Sequence, residues 1–463
     1  MPEDTGAPVT RKVWFLETVT HAFVELFRLR GAPANKSVLS QADPPQSRSP
    51  QPGQRSARPR PSIGQAFSSL KHRNYRLWFW GQMASLVGTW MQTTALGFLV
   101  YQLTGSPVYL GYVGFAAGVP MWLLALFGGV VSDRMARRHL LLITQSAMML
   151  LAFLLAFLVF AHWVQPWHIV LLALCSGVAN AFDAPARQAF VLDLAPREDW
   201  TNAIALNSTM FNLATAIGPA VAGVTYAAFG PAWCFTINGL SFIAVITALL
   251  QIRLAAAPSR VLSSAIDDIR EGVRYMGSAP IIRALIGTTA LGTVFGMGFV
   301  TLFPAWAVTI LGGDATTNGL LQSARGAGSL VAALAIASLG DIKVKGNLLI
   351  QASVAFPVLL IVWTMARSLP LSLLVMVAVG CAFMVTRIVS NTLIQTLTPD
   401  NLRGRVLSIY TLSFFGTLPV SALLAGALAE VIGEPYTVAL GAVGSLGVAV
   451  WLWRFVPQLR TTE

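Results

Sequence analysis

The stretch Gly129-Val130-Val131-Ser132-Asp133-Arg134-Met135-Ala136-Arg137-Arg138 lies between two long apolar runs, 108–131 and 140–161. Gly129 permits close helix approach at the end of the first run. Asp133 can accept hydrogen bonds from a neighbouring helix N-terminus or an arginine, while Arg134, Arg137 and Arg138 stay in interfacial water. A bond from this loop across two packed bundles would latch one face of a membrane protein shut. Three topogenic arginines beside a solvated aspartate are the simpler alternative. On both readings the stretch is a short basic connection between two membrane crossings.

Further apolar runs extend from it in both directions. Including the two above, twelve are long enough to cross a ~30 Å hydrocarbon layer at 1.5 Å per residue. The first half holds 77–102, 108–131, 140–161, 167–190, 203–229 and 232–252; the second holds 283–311, 317–340, 347–366, 369–394, 406–432 and 435–455. The chain is only 11% charged, less than half the roughly 25% of a soluble domain, and its mean hydropathy is +0.66. The fold class expected is an all-α integral membrane protein of two six-helix bundles. Cys175, Cys234 and Cys381 lie far apart in apolar sequence, which excludes a disulfide framework or a metal knuckle.

The net charge of +12 follows topology. Twelve of the 31 Lys and Arg fall in residues 1–76, and most of the others in short gaps between runs. No basic stripe interleaved with aromatics appears, so nucleic acid is not an expected partner. The turns alternate: those near 103–107, 162–167, 230–231, 312–314 and 433–435 hold no Lys or Arg, and 367–370 holds Arg367 alone. The other set carries Arg134, Arg137 and Arg138; Arg187 and Arg197; Lys343 and Lys345; Arg403 and Arg405. Cationic loops stay cytoplasmic, which places both termini inside the inner (plasma) membrane.

Four segments follow. Residues 1–66 are a cytoplasmic tail, with an interfacial amphipathic helix over Val13–Arg30 and a Pro-, Ser- and Arg-rich disordered stretch over 33–64. Residues 67–254 form the first bundle, 255–282 a linker, and 283–463 the second bundle with a short tail. In the linker, Leu262, Ile266, Ile269, Val273 and Met276 recur at spacings of four and three, the mark of an amphipathic helix.

The two halves share a register. Leu194, Pro196, Ala222, Gly223 and Gly230 match Leu397, Pro399, Ala425, Gly426 and Gly433 at a constant offset (397 − 194 = 203; 433 − 230 = 203). Two parallel repeats place a substrate site near mid-membrane between the halves, exposed alternately by rocking.

A charge at bilayer depth costs roughly 2.5–3.5 kcal/mol on insertion scales, so each such side chain needs a partner or a wet cavity. Asp183 is the one acidic residue placed clearly within a run, with Arg187 four residues on along the same helical face. It is the candidate proton carrier; the alternative is a structural ion pair supporting the basic loop, which the adjacent arginine favours. Arg325 falls near mid-membrane, too deep to reach the interface, and is a candidate for an anionic substrate. Arg387 either lines the cavity or reaches toward the cytoplasm. Gln82, Trp90, Gln92, Asn180, Asn207 and Asn212 are candidates to shape the cavity; interhelical hydrogen bonding is the competing role for each.

The pattern Gly129-x-x-x-Asp133-Arg134-x-x-Arg137-Arg138 resembles the loop signature of the major facilitator superfamily, with Ala136 where a glycine is usual. Its counterpart Asp341-Ile342-Lys343-Val344-Lys345 is degenerate. The resemblance implies a cytoplasmic gate built on Gly129, Asp133, Arg134, Arg137, Arg138 and Arg187. Leu99-Val100-Tyr101-Gln102-Leu103-Thr104-Gly105-Ser106, Pro185-Ala186-Arg187-Gln188-Ala189-Phe190, Ile217-Gly218-Pro219-Ala220 and Arg403-Gly404-Arg405-Val406 are similar to the enterobactin-exporter-like branch. That branch implies proton-coupled export of siderophores, drugs or other small molecules. A small-molecule substrate, protons and the lipid bilayer are then the expected partners of a monomer.

No phosphate-binding Gly-x-x-x-x-Gly-Lys-[Ser/Thr] loop is present, and the five histidines form no metal-spaced pair, so neither an ATP-driven pump nor a metal-dependent membrane enzyme is expected. No cofactor is expected. An importer or differently coupled exchanger of the same fold, and a non-transporting sensor or scaffold using the tail, are the remaining alternatives.

Overall fold

The computed structural model describes residues 65–254, 265–339 and 345–461; side chains are not described at 65–66, Ala125, Leu126, Val130, Asp133, 265–269 and 460–461. The expected tail helix over Val13–Arg30, the 33–64 stretch and Asp341–Val344 lie outside the described residues.

Fourteen α-helices occur among the described residues. The first six are α1 (Arg73–Thr104), α2 (Pro107–Arg134), α3 (Arg137–Phe160), α4 (Pro166–Asp193), α5 (Trp200–Phe229) and α6 (Pro231–Gln251). The connecting helix α7 (Ala265–Ser278) precedes α8 (Pro280–Gly296), α9 (Phe303–Thr309), α10 (Ala315–Leu339), α11 (Lys345–Met365), α12 (Leu369–Leu397), α13 (Arg403–Ile432) and α14 (Glu434–Phe455). Twelve segments among the described residues are long and apolar enough to span a bilayer, with α8 and α9 forming one of them.

The turns on the side away from the chain ends, the far side, are short for a local reason. Gly105, Gly230, Gly312 and Gly433 have positive φ and stop the preceding helices. Pro107, Pro166 and Pro231 then start the next ones, where a missing N–H costs nothing.

The seventh crossing differs from the single run expected over 283–311. It breaks after Gly296, passes through a 3₁₀ turn at Gly298–Val300 and resumes at Phe303. Pro304 has no N–H to give to the preceding turn, and Gly296 and Gly298 weaken the helix there. Phe299, Phe303, Trp306 and Trp363 fill the space around the break; the Trp306 and Trp363 rings stack at 3.9 Å.

In the first half α1 packs on α5 and α6, α2 on α4, and α3 on α4 and α6; in the second, α10 packs on α12, α11 on α12 and α14, and α8 on α13 and α14. Two pairs make most of the contact between the halves, α2 with α13 and α5 with α10, and α1 touches α9 and α10 between them. The repeated glycines sit at these seams. A Cβ on Gly426 would lie 2.9 Å from the Gly111 Cα, and one on Gly223 would lie 2.8 Å from the Thr316 Cα. Close backbone approach by small residues is the usual way helices associate where no hydrophobic effect acts between them. Gly230 and Gly433 also share a conformation, φ 87° and 82°.

Helix α7 packs on α13. Its Gly272 is buried against Ile409 and its Glu271 pairs with Arg405 at 2.7 Å. Of the apolar stripe expected there, Met276 is buried and Val273 is exposed; the side chains of Leu262, Ile266 and Ile269 lie outside the description.

Candidate functional site at the seam between the halves

The two seams run from the far side to about the midpoints of their helices. At the far end of the first, Glu430 Oε2 accepts a hydrogen bond from the Ser106 hydroxyl at 2.6 Å and one from the Val108 N–H at 3.4 Å. Next along it come Gly111 against Gly426, Gly118 against Pro419, and Trp122 against Gly416. The second seam runs from Thr316 against Gly223 to Gly326 against Thr215 and Ala216. Between the seams, the Thr94 hydroxyl donates to Gln322 Oε1 across the halves at 3.3 Å, and Gln322 Nε2 donates to Asn318 at 3.1 Å.

Toward the chain ends several polar contacts hold each half together, among the described side chains. Arg137 Nη1 bridges both oxygens of Asp193 at 2.9 and 2.8 Å. Arg138 caps the end of α6 through the Leu249 and Leu250 carbonyls at 2.6 and 2.9 Å. His72 and Ser68 bind Asp199 at 2.7 and 2.6 Å. Among the described residues the halves meet on the far side and part toward the side carrying the chain ends.

The residues of the basic loop are placed as follows. The close approach expected of Gly129 falls on its neighbour: a Cβ on Gly128 would collide with the Ala181 carbonyl, whereas one on Gly129 meets no atom within 4 Å. The helix phase places the contact one residue earlier. Arg134 is exposed. The Asp133 side chain lies outside the description.

Asp183 is 1% exposed and sits between α3 and α4. Its Oδ1 accepts from the Thr144 hydroxyl at 2.9 Å and Gln145 Nε2 at 2.8 Å; Oδ2 lies 3.6 Å from Arg187 Nε. Thr144 and Gln145 were not singled out in the sequence, where nothing distinguishes them from other polar residues of an apolar run.

The cavity candidates divide. Gln92 accepts from Asn238 at 2.7 Å within the first half, an interhelical structural bond. Trp90 meets the Phe211 ring edge-on at 5.8 Å. Asn212 donates to the Ser208 carbonyl on its own helix, and lies on the stripe that continues through Thr215 and Pro219 toward α10. Asn207 is half-buried and Asn180 exposed. Gln82 is buried with Oε1 unbonded. Arg325 adjoins Gly326 where the second seam ends, and its buried Nε has no hydrogen-bond partner. Arg387 lies within the second bundle, over the Phe414 ring at 3.6 Å. The positions missed by sequence reasoning are Thr94, Asn318, Gln322, Ser106 and Glu430. Glu430 had a signal, an acidic residue next to a far-side turn in a set otherwise poor in charge.

The transmembrane secretion effector family matches residues 64–463. The chain belongs to this family of major facilitator transporters. It is similar to the staphyloferrin A transporter of Staphylococcus aureus, 25% identical over 79% of this chain and 91% of that protein. The multidrug efflux pump Tap of Mycolicibacterium fortuitum is 28% identical over 81% and 94%. The enterobactin exporter EntS of Citrobacter koseri is 23% identical over 84% and 93%. Among solved structures, a D-xylose–proton symporter superposes with a TM-score of 0.67 at 15% identity, over 83% of this chain and 99% of that one, a likeness of fold. The family consists of transporters, not enzymes, and this chain is a multi-span membrane transporter of the major facilitator type.

Proposed function

We propose that this transporter exports a small organic molecule, siderophore-, drug- or metabolite-like, across the inner (plasma) membrane in exchange for protons, with both termini cytoplasmic. The observation that carries the reading is near full-length similarity to proteins described as an efflux pump and an exporter. The basic character of every terminus-side turn supports the orientation. The parted terminus side then corresponds to the state that loads cargo from the cytoplasm.

In this reading the cargo lies where the seams end, between Arg325 and Gln322 on α10 and Gln82, Trp90 and Asn212 on the first half. Asp183, with donors from Thr144, Gln145 and Arg187, holds α3 and α4 beneath the basic loop, and Arg137 and Arg187 steady the gate. The test is transport in everted vesicles. Accumulation of cargo driven by an acid interior and abolished by a protonophore is expected. Accumulation indifferent to the gradient would overturn the proton exchange, and net movement in the opposite direction would identify an importer.

A further inference from the structure

We propose a second ligand site, separate from the cleft between the halves: a pocket inside the second bundle that takes a carboxylate bearing an adjacent hydroxyl group. The pocket lies among α8, α11, α12, α13 and α14, with a volume of about 80 Å³. Drug-sized sites are roughly 300–1,000 Å³, so this one fits the end group of a solute or a very small acid. It does not depend on the direction or coupling of transport.

Its cation is Arg387. Both faces of chemistry around the guanidinium are aromatic: Cζ stands 3.6 Å from the Phe414 ring centroid and 5.3 Å from that of Tyr410. Ring faces stabilise the charge but leave the in-plane N–H groups to find oxygen. Nη1 is buried and has no hydrogen-bond partner, and no carboxylate among the described residues pairs with this arginine. A buried guanidinium in this state is a ready partner for an anion, best for a planar carboxylate.

The remaining lining specifies the neighbour of that carboxylate. Thr289 donates its hydroxyl proton to the Leu285 carbonyl at 2.8 Å, Thr293 to Thr289 at 2.7 Å, and Ser353 to Ile350 at 2.9 Å. The Tyr410 hydroxyl donates to the Arg387 carbonyl at 3.3 Å. With the Thr293 and Ser353 protons committed to backbone carbonyls, their oxygens offer lone pairs, which bind a donor. An anion with its own hydroxyl meets both demands. The last wall is Gly292, where a Cβ would meet no atom within 4 Å.

The experiment uses the purified full-length protein in detergent and follows the melting midpoint by tryptophan fluorescence at constant ionic strength. Glycolate, acetate and glycolamide are titrated against a chloride control. Glycolate is expected to raise the midpoint saturably, acetate more weakly, and glycolamide not at all. Arg387→Gln and Gly292→Leu are each expected to weaken glycolate at least about tenfold, the loss expected of a charge-assisted hydrogen bond. Gly292→Leu fills the pocket without touching Arg387, so it decides the matter even if Arg387→Gln fails to fold. An unchanged glycolate response in Gly292→Leu, or an equal response to chloride, would overturn the site. Equal responses to acetate and glycolate would overturn the hydroxyl requirement.

Discussion

Glu430 on α13 caps the start of α2 from the opposite half, taking the Ser106 hydroxyl and the Val108 N–H on one carboxylate oxygen. A carboxylate at a helix N-terminus also meets the positive end of the helix dipole. The contact exists only while the far side is closed, so its energy biases the transporter toward the state that is open at the chain ends.

Glu430→Ala should therefore raise the share of far-side-open molecules. An exposed hydrogen bond contributes about 0.5–1.5 kcal/mol, which is about a 2- to 10-fold change in population. Spin-label distances between the far ends of α2 and α13 report it; a distribution identical to wild type would refute the bias.

Substituting the seam glycines should act more strongly. Gly426→Val or Gly223→Val inserts a side chain where backbones stand within about 3 Å of a Cβ, and overpacking costs typically ~1–3 kcal/mol. Each variant should insert into the membrane normally, lose most transport and leave cysteines introduced at the far ends of α2 and α13 open to a membrane-impermeant thiol reagent. Wild-type labelling and flux would show that the seams tolerate separation.

At Asp183 the two obvious substitutions should part company. Asp183→Asn keeps an oxygen for Thr144 and Gln145, and should fold and retain gradient-driven transport within about threefold. Asp183→Leu strands Arg187 and both donors, and breaking one partner of a buried pair costs about 3–5 kcal/mol. It should lose most of its monodisperse yield on fluorescence-detected size exclusion. A folded Asp183→Asn that no longer responds to a proton gradient would instead make Asp183 the coupling group.

Arg325→Gln should discriminate by cargo charge. Removing a buried cation from the end of the second seam should weaken handling of anionic compounds about tenfold or more, with neutral and cationic ones little changed. A susceptibility panel matched for size and spanning charge provides the measurement. Uniform loss across the panel would assign Arg325 to structure.

The crossings were legible because each depends on a local property, a run of apolar residues ended by Gly, Pro or a cluster of arginines. The offset of 203 was equally plain, and its meaning in space was not: that Gly426 meets Gly111 and Gly223 meets Thr316 depends on which helices face one another, which no single-helix pattern contains. The break in the seventh crossing could be read from Gly296, Gly298 and Pro304, yet an unbroken apolar run hid it. Gln92 illustrates the limit for the site. A polar residue in a span serves a cavity or a neighbour, and only the position of Asn238 decided between them. Arg387 is the reverse case, since its ring partners Tyr410 and Phe414 lie a helix away in sequence and gave no advance sign.

The two seams are images of each other under the repeat, and this has a mechanical consequence. Stiff bodies clasped at paired, symmetry-related places cannot peel apart at one and stay shut at the other without bending a helix. The far side should thus release as a single event, and one covalent staple, at Gly111–Gly426 or at Gly223–Thr316, should be enough to silence both.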